Sequence, residues 1–248
     1  MMRPILFIVT LLTCTSALAA QCRVDVKNEV HINSEHVEIH RADGQIATLT
    51  ANNQLSIDGK PVALNSEQAS AMERFRQSMS DSVPRVKQVI NDGLVMADSV
   101  IDDISTSLGK PGAFDNLKQG VRSYAQEWES RYYKNGELVL PASSYEQMQQ
   151  EWMAEFDKAK VFFSREFMTR AFDTIAKSMK QEGGFNLTQL NDVMAKLKTS
   201  MAEHLKEHKK QMDKQRDELC DSLDNIVEQE KSLHKKIPQL KDYQVFTI

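Results

Sequence analysis

The sequence predicts an α+β protein, mainly helical, in which a small N-terminal antiparallel β-meander packs on long antiparallel α-helices. Up to about residue 64, apolar residues alternate with polar ones, which is the period of a half-buried strand. From residue 65 onward the apolar residues recur every three or four positions, which is the period of an amphipathic helix. Glycine, proline and asparagine separate these segments, as expected of turns and helix ends.

Residues 1–19 have the pattern of a cleavable export signal. Arg3 supplies a positive charge, residues 5–12 are almost wholly apolar, and Ala17-Leu18-Ala19 is the small-x-small pattern that signal peptidase cleaves. We therefore expect an exported, periplasmic protein whose mature chain starts near residue 20. No later stretch reaches the roughly 18 consecutive apolar residues of a spanning helix, so no membrane span is predicted.

The charge balance narrows the classes of partner. The chain has 35 acidic and 31 basic residues, for a formal net charge of −4. An acidic surface argues against nucleic acid and against an anionic membrane surface as partners. A charged fraction of 27% with 41% hydrophobic residues is ordinary for a folded chain, so a packed core is expected.

The meander is predicted over residues 20–64, and the helical region over residues 65–237 is expected to form one body with it. Turn chemistry at Asp43-Gly44 and Asp58-Gly59 separates short strands. Asn65 and Gln68 have the spacing of a capping box, so the first helix should begin there. Pro84 interrupts the helical period, which predicts either a sharp kink or a break between two helices.

Three further helices follow. The second covers about 114–132, and after it residues 137–140 form a short extended piece that can add to the N-terminal sheet. The third starts at Ser143 and runs to about residue 181, and the last runs from about Asn186 to Lys236, where Pro238 ends it. Residues 238–248 are predicted to be a docked tail or a short closing strand.

The third helix has two apolar stripes. An amphipathic surface helix normally has one, so this helix is predicted either to lie centrally in a bundle or to present a second apolar face to a partner. One stripe is Tyr145, Met148, Trp152, Phe156, Ala159, Phe163 and Phe167, and the other is Met153, Phe162, Met168 and Phe172.

Two cysteines remain once residues 1–19 are removed. In an oxidising compartment, Cys22 and Cys220 are more often bonded than free. An intramolecular disulfide would close a loop of about 198 residues, worth roughly 5 kcal/mol in the chain-entropy model. Two buried free thiols or an intermolecular bridge are the alternatives.

Several local motifs together resemble the YggN-like family of exported gammaproteobacterial proteins, whose function is uncharacterised. The resemblance implies a periplasmic location and supports the disulfide, and it brings no catalytic residues to this chain. It rests on Gln21-Cys22, on Leu55-x-Ile57-Asp58-Gly59-Lys60-x-Val62-x-Leu64-Asn65-x-x-Gln68, on the Pro84 position and on Cys220 in the final helix.

The sharpest chemical motif lies in the last helix. His204, Glu207 and His208 spell H-x-x-E-H, in which two histidines four residues apart share a helix face and can bind zinc while the glutamate activates water. The neighbouring Lys206 and Lys209 add positive charge that disfavours a cation. We therefore expect an ordinary helix surface here, with a metal-dependent hydrolase or metal-binding protein using these residues as the alternative.

Histidines also recur in the strand region. Strand alternation places His36, Glu38 and His40 on one face, with His31 and Glu35 nearby, so a metal site is geometrically possible. A polar strand face is the more common outcome of such a pattern. No cofactor and no catalytic residue is predicted, since the sequence has no G-x-S-x-G, C-x-x-C or phosphate-binding loop motif.

The sequence therefore predicts a non-enzymatic periplasmic protein. Its long helices and surplus apolar faces favour a protein- or peptide-binding envelope factor, which includes a chaperone-like holdase. The expected partner is another envelope protein or an unfolded peptide.

Overall fold

The structure is a computed structural model that describes residues 23–107, 111–158 and 187–247, together with positions 161, 165 and 169. Within 187–212 it describes the side chains of only some residues. It confirms the predicted α+β fold class. The strands are β1 (Asp25–Val26), β2 (Glu29–Ile32), β3 (His36–His40), β4 (Ile46–Thr50), β5 (Leu55–Ile57), β6 (Lys60–Val62), β7 (Tyr133–Lys134), β8 (Glu137–Leu140) and β9 (Phe246–Thr247). The helices are α1 (Ser66–Ser107), α2 (Asp115–Tyr132), α3 (145–158 within the described part), α4 (Leu187–Lys236) and a 3-10 turn at Pro238–Leu240.

Seven strands form one antiparallel sheet in the order β6-β5-β4-β3-β2-β8-β7. The predicted extended piece at 137–140 is β8, and it pairs with β2 so that Ile32 lies opposite Leu138. Along β2, β3 and β4 buried and half-buried residues alternate strictly. This alternation places one face against the core and leaves the other face open to solvent, as the sequence period predicts.

Two hairpins of the sheet turn through two residues each. Asp58 and Gly59 join β5 to β6, and Asn135 and Gly136 join β7 to β8, with all four residues at positive φ. Positive φ at both central positions defines the turn whose twist matches paired strands, and Asn-Gly and Asp-Gly are its preferred sequences. Gly59, at φ +73°, tolerates this conformation without the steric cost of a Cβ atom.

The predicted capping box opens α1. The side chain of Asn65 accepts a hydrogen bond from the Gln68 backbone N–H, and the side chain of Gln68 accepts one from the Asn65 N–H, each at 2.9 Å. The Gln68 amide also donates to the Lys236 carbonyl at 2.7 Å. The cap therefore joins the start of α1 to the end of α4, which the sequence pattern did not predict.

Helix α1 continues through Pro84 without interruption, so the predicted break into two helices is wrong. Proline removes one backbone donor, but Pro84 is exposed and the helix packs on α4 on both sides of it. Beyond the proline, Arg85 donates to the Ser222 hydroxyl at 3.2 Å and Gln215 donates to Asp92 at 2.6 Å. Tertiary packing thus compensates for the missing bond.

The four helices run antiparallel to their neighbours, as predicted. Residue numbers increase along α1 while those of its contacts on α4 decrease: Gln68 contacts Lys236, and Asp92 contacts Gln215. Between α1 and α2, Asp102 and Asp98 pair with Lys118 and Arg122. Between α2 and α3, Tyr124 contacts Glu155 and Trp128 contacts Trp152.

The main core lies between the inner face of the sheet, the first turns of α1 and the end of α4. Phe75 is fully buried there. Arg76 is also buried, because Glu73 binds its guanidinium at 2.7 and 2.9 Å and the Ser34 carbonyl accepts a further bond. A separate small cluster joins the far end of α1 to the start of α2 through Ile101, Ile104, Phe114 and Leu117.

The C-terminal segment closes the fold as a strand. Strand β9 pairs with β1, with Val26 opposite Phe246, so of the two predicted alternatives for residues 238–248, a docked tail or a short strand, the structure contains a strand. The buried Glu230 of α4 accepts hydrogen bonds from the backbone N–H groups of Val245 and Phe246. Both ends of the described chain are therefore held against α4. Within the described ranges, none of the helices combines the length and apolar content that crossing a membrane requires.

Candidate functional site

An apolar groove lies where α1, α2 and α3 meet, far along the helices from the sheet. Its volume is about 250 Å³. Tyr124 and Trp128, one turn apart on α2, face Trp152 and Phe156, one turn apart on α3, and these four rings line most of the groove. The lining residues are Ile90, Tyr124, Ala125, Trp128, Trp152, Glu155 and Phe156.

The only two tryptophans of the chain line this groove from opposite sides, Trp128 on α2 and Trp152 on α3. The rings of Trp128 and Trp152 meet edge to face, with centroids 6.1 Å apart, and Trp128 also contacts Tyr132 at 4.9 Å. Edge-to-face packing is the favoured geometry of aromatic pairs and fixes both rings. The groove therefore has one rigid wall, supplied by α2.

Polar contacts hold α3 against α2 at the rim of the groove. The Tyr124 hydroxyl donates to the Glu155 backbone carbonyl at 2.9 Å and to its carboxylate at 3.1 Å. Hydrogen bonds from Lys158 and Arg131 lower the pKa of Glu155 to about 2. Burial and the contact with Glu155 raise the pKa of Tyr124. The carboxylate is thus charged and the phenol neutral at physiological pH, so the rim stays polar.

The other wall of the groove is exposed. Trp152, Met153 and Phe156 of α3 have 54%, 55% and 63% of their surface open to solvent. Tyr145 and Met148, at the start of the first stripe, are half-buried, and Met148 packs against the main core. Further along the described part of α3, residues of both predicted stripes face solvent, so a central position in a bundle is not what they adopt. Most of residues 159–172, which the two stripes also include, lie outside the described residues.

A larger cleft of about 620 Å³ separates α1 from α4, but its chemistry is different. It is lined mostly by polar and charged side chains, among them Asp81, Arg85 and Glu218. Arg85 is already bonded to Ser222 across it. Val89 and Leu219 are the apolar residues of its lining, and no aromatic ring lines it, so we describe it as a solvated seam between two helices.

The strand histidines lie on the outer face of the sheet, as the alternation predicts. His36 Nε2 lies 3.0 Å from Glu137 Oε1, on a strand that the sequence did not connect with it. His40 instead lies beside Glu38 and stacks on His31, with ring centroids 4.2 Å apart and an angle of 14° between the rings. The predicted set of His36, Glu38 and His40 therefore does not form one cluster.

The H-x-x-E-H motif falls on helical backbone in α4, but the side chains of His204, Glu207 and His208 lie outside the described residues. The metal alternative at this motif stays a prediction. Cys220 is a buried residue of α4, and Cys22 precedes the described part of the chain. The Cys22–Cys220 disulfide also stays a prediction.

The groove was not predicted from the sequence, although the apolar stripe that contains Trp152 and Phe156 was. The aromatic residues at 124, 128 and 132 recur every fourth position along α2. Their density was a usable signal, because a short helix that carries rings at three successive turns has more aromatic surface than one neighbour covers. Which helix would lie opposite them depended on the tertiary fold.

Comparison with known proteins gives one result. No curated protein and no solved structure matches the chain. A model of a protein family described as "Protein of unknown function (DUF2884)" matches residues 22–246, which is nearly the whole chain. The chain therefore belongs to the DUF2884 family, whose function is unknown.

Proposed function

We propose that this protein is a non-enzymatic binding protein that holds an apolar segment of another protein in the groove between α2 and α3. The observation that carries the proposal is the exposure of Trp152 and Phe156 directly beside the fixed ring of Trp128. Clustered aromatic side chains that stay open to water mark interaction sites, because a monomer gains free energy by burying them.

The dimensions of the groove favour a protein segment over a small molecule. A volume of about 250 Å³ lies below the roughly 300–1,000 Å³ of small-molecule pockets, and it accommodates one or two apolar side chains. The rim carries both signs of charge, with Glu155 between Arg131 and Lys158. Such a rim can accept backbone and polar groups on either side of an apolar anchor, which suits an extended peptide or an unfolded client.

The proposed location is the periplasm. The export signal at residues 1–19, the pair Cys22 and Cys220, and the resemblance to YggN-like exported proteins of gammaproteobacteria support it. The test is N-terminal sequencing of protein recovered by osmotic shock, with peptide mapping under non-reducing conditions. A mature chain starting at residue 20 or 21 and a Cys22–Cys220 peptide are expected, and an uncleaved chain with two free thiols contradicts the proposal.

Binding can be measured through the groove itself. Because Trp128 and Trp152 are the only tryptophans, the intrinsic fluorescence of the chain reports the environment of the groove alone. A reduced, carboxymethylated protein chain that lacks tryptophan serves as the client. Its addition should shift the emission of Trp152 to shorter wavelength in a saturable way. A Trp152→Phe variant should retain binding but lose most of the shift.

Two matched substitutions distinguish binding in the groove from nonspecific apolar association elsewhere on the surface. Phe156→Asp should weaken client binding by roughly thirtyfold, since a central aromatic anchor typically contributes about 2 kcal/mol. Val95 of α1 is 68% exposed and does not line the groove, so Val95→Asp is the control and should leave affinity unchanged. If Phe156→Asp and Val95→Asp bind the client with equal affinity, the proposal is wrong. Client binding without any change in tryptophan emission also contradicts it.

A further inference from the structure

The outer face of the sheet concentrates histidine and carboxylate side chains. Strands β2 and β3 direct Glu29, His31, His36, Glu38 and His40 outward, while the alternate residues pack into the core. None of the strands β2, β3, β4 and β8 carries a lysine or arginine. These four strands therefore offer donors for a cation and lack the lysines that surround the H-x-x-E-H motif in α4, and Arg41, which directly follows β3, is paired with Asp43.

Three of these side chains meet at one point. Glu29 lies directly opposite His40 in the antiparallel register, and His31 is two residues along the same strand, so all three project from one side. One ligand atom from each lies within 4.8 Å of the others. Among the described residues, no other group of three or more histidine, cysteine or acidic side chains has its ligand atoms this close together.

We propose that Glu29, His31 and His40 form a binding site for a divalent transition-metal ion, with Zn²⁺ as the best match. Two imidazoles and one carboxylate are a donor set typical of zinc, which binds nitrogen and oxygen at about 2.0–2.2 Å. Tetrahedral ligands at that distance are roughly 3.3 Å apart. The ligand atoms lie within 4.8 Å of one another, and bringing them to this spacing requires the partly exposed side chains to rotate, which opens the stack of His31 on His40.

The backbone beneath the site is rigid. Between the outward residues lie Val30 and Ile39, which are fully buried and pair with each other across β2 and β3. The Cα positions of Glu29, His31 and His40 are thus fixed by the core, and a metal ion needs to order only side chains. Fixed ligand positions lower the entropy cost of coordination.

Neighbouring carboxylates are placed to support the ligands. His31 Nε2 lies 2.9 Å from Glu29 Oε1, while its Nδ1 faces Glu137 Oε2 at 3.6 Å. Glu38 Oε2 lies 3.0 Å from His40 Nε2. A carboxylate beside the second nitrogen of a ligating histidine orients the ring and strengthens its donation to a metal. With three protein ligands, at least one coordination position stays open to water, as in exchangeable zinc sites.

The test is titration of the untagged, full-length mature protein with Zn²⁺ alone, followed by calorimetry, and with Co²⁺ followed by visible absorption. One equivalent of tight binding and a tetrahedral Co²⁺ spectrum are expected. His31→Ala and His40→Ala should each lower the affinity at least tenfold, and Glu29→Gln should do the same. His36→Ala is the matched control, since His36 lies on the same face but contacts Glu137, and it should leave affinity unchanged.

The alternative metal motif is tested in the same series. If Zn²⁺ binding is lost in a His204→Ala, His208→Ala variant and unchanged in His40→Ala, the site is on α4 and the proposal is wrong. Absence of stoichiometric binding to the wild-type protein overturns it equally. Each variant is checked by circular dichroism, and a glutamine substitution at the same position, such as His31→Gln or His40→Gln, replaces an alanine variant that does not fold.

Discussion

Replacing Glu230 by glutamine should change how the stability of the protein depends on pH. Glu230 is 1% exposed in α4, and burial raises its pKa from the ordinary 4.5 to about 7, although the N–H groups of Val245 and Phe246 oppose that shift. The pKa of Glu230 is therefore higher in the folded than in the unfolded chain. At pH values between 4.5 and about 7, the folded chain keeps the carboxyl group protonated, whereas the unfolded chain releases the proton. The resulting stability is complete below about pH 4.5 and is lost as the pH rises through about 7.

The size of the effect follows from the same two values. At about 1.4 kcal/mol for each pH unit between them, this one carboxyl group changes the free energy of unfolding by on the order of 3 kcal/mol. Glutamine does not ionise, so the variant lacks this contribution. His234 Nε2 lies 3.9 Å from the Glu230 carboxylate, and burial lowers the pKa of His234, which acts with the opposite sign. Its contribution is present in both proteins and largely cancels when they are compared.

The assay is urea unfolding followed by far-ultraviolet circular dichroism at several pH values from 5 to 8. The free energy of unfolding of the wild type minus that of Glu230→Gln should fall by about 2–3 kcal/mol across this range. A His234→Gln variant should keep the fall in stability with rising pH and make it steeper, because the opposing contribution of His234 is removed. If the difference between wild type and Glu230→Gln stays constant with pH within about 0.5 kcal/mol, the assignment of the raised pKa to Glu230 is wrong.

Two further pairs of substitutions test the helix cap and the core. Asn65→Ala removes the side chain that caps α1 and should lower the free energy of unfolding, measured by urea unfolding, by about 1 kcal/mol. Asn65→Asp keeps an accepting oxygen at this position and should retain most of the wild-type stability. Phe75→Ala should cost about 3–5 kcal/mol because the ring is fully buried, whereas Phe156→Ala should change stability by less than about 0.5 kcal/mol because most of that ring faces water. Equal losses for the two phenylalanines in thermal unfolding would contradict the assigned core.

Local patterns predicted most of the elements. The alternation along β2 to β4, the capping pair Asn65 and Gln68, and the turn at Asp58-Gly59 all depend on residues close in sequence, and the structure contains each of them. Of the two outcomes predicted at Pro84, the break into two helices does not occur, because the local effect of the proline is small beside the packing of α1 on α4, which lies more than a hundred residues away in sequence.

The candidate sites were harder to predict because each depends on contacts between distant segments. Periodicity placed Trp128 and Trp152 on separate stripes but gave no reason for the two rings to meet. The strand histidines were noticed, yet Glu29 was not, since its place opposite His40 depends on the register of β2 against β3. A shift of one residue in that register would send Glu29 and His31 to the opposite face.

By itself the sequence determined the α+β class, the order of strands and helices and the residues that can cap, turn or ligate, because these follow from hydrogen bonding and hydrophobic period over a few residues. Only the tertiary structure decided which of these residues meet. It left the aromatic face of α3 exposed, grouped Glu29 with His31 and His40, and buried Glu230 beneath the C-terminal strand. Burial and electrostatics are properties of what surrounds a side chain, and those surroundings are assembled from parts of the chain far apart in sequence.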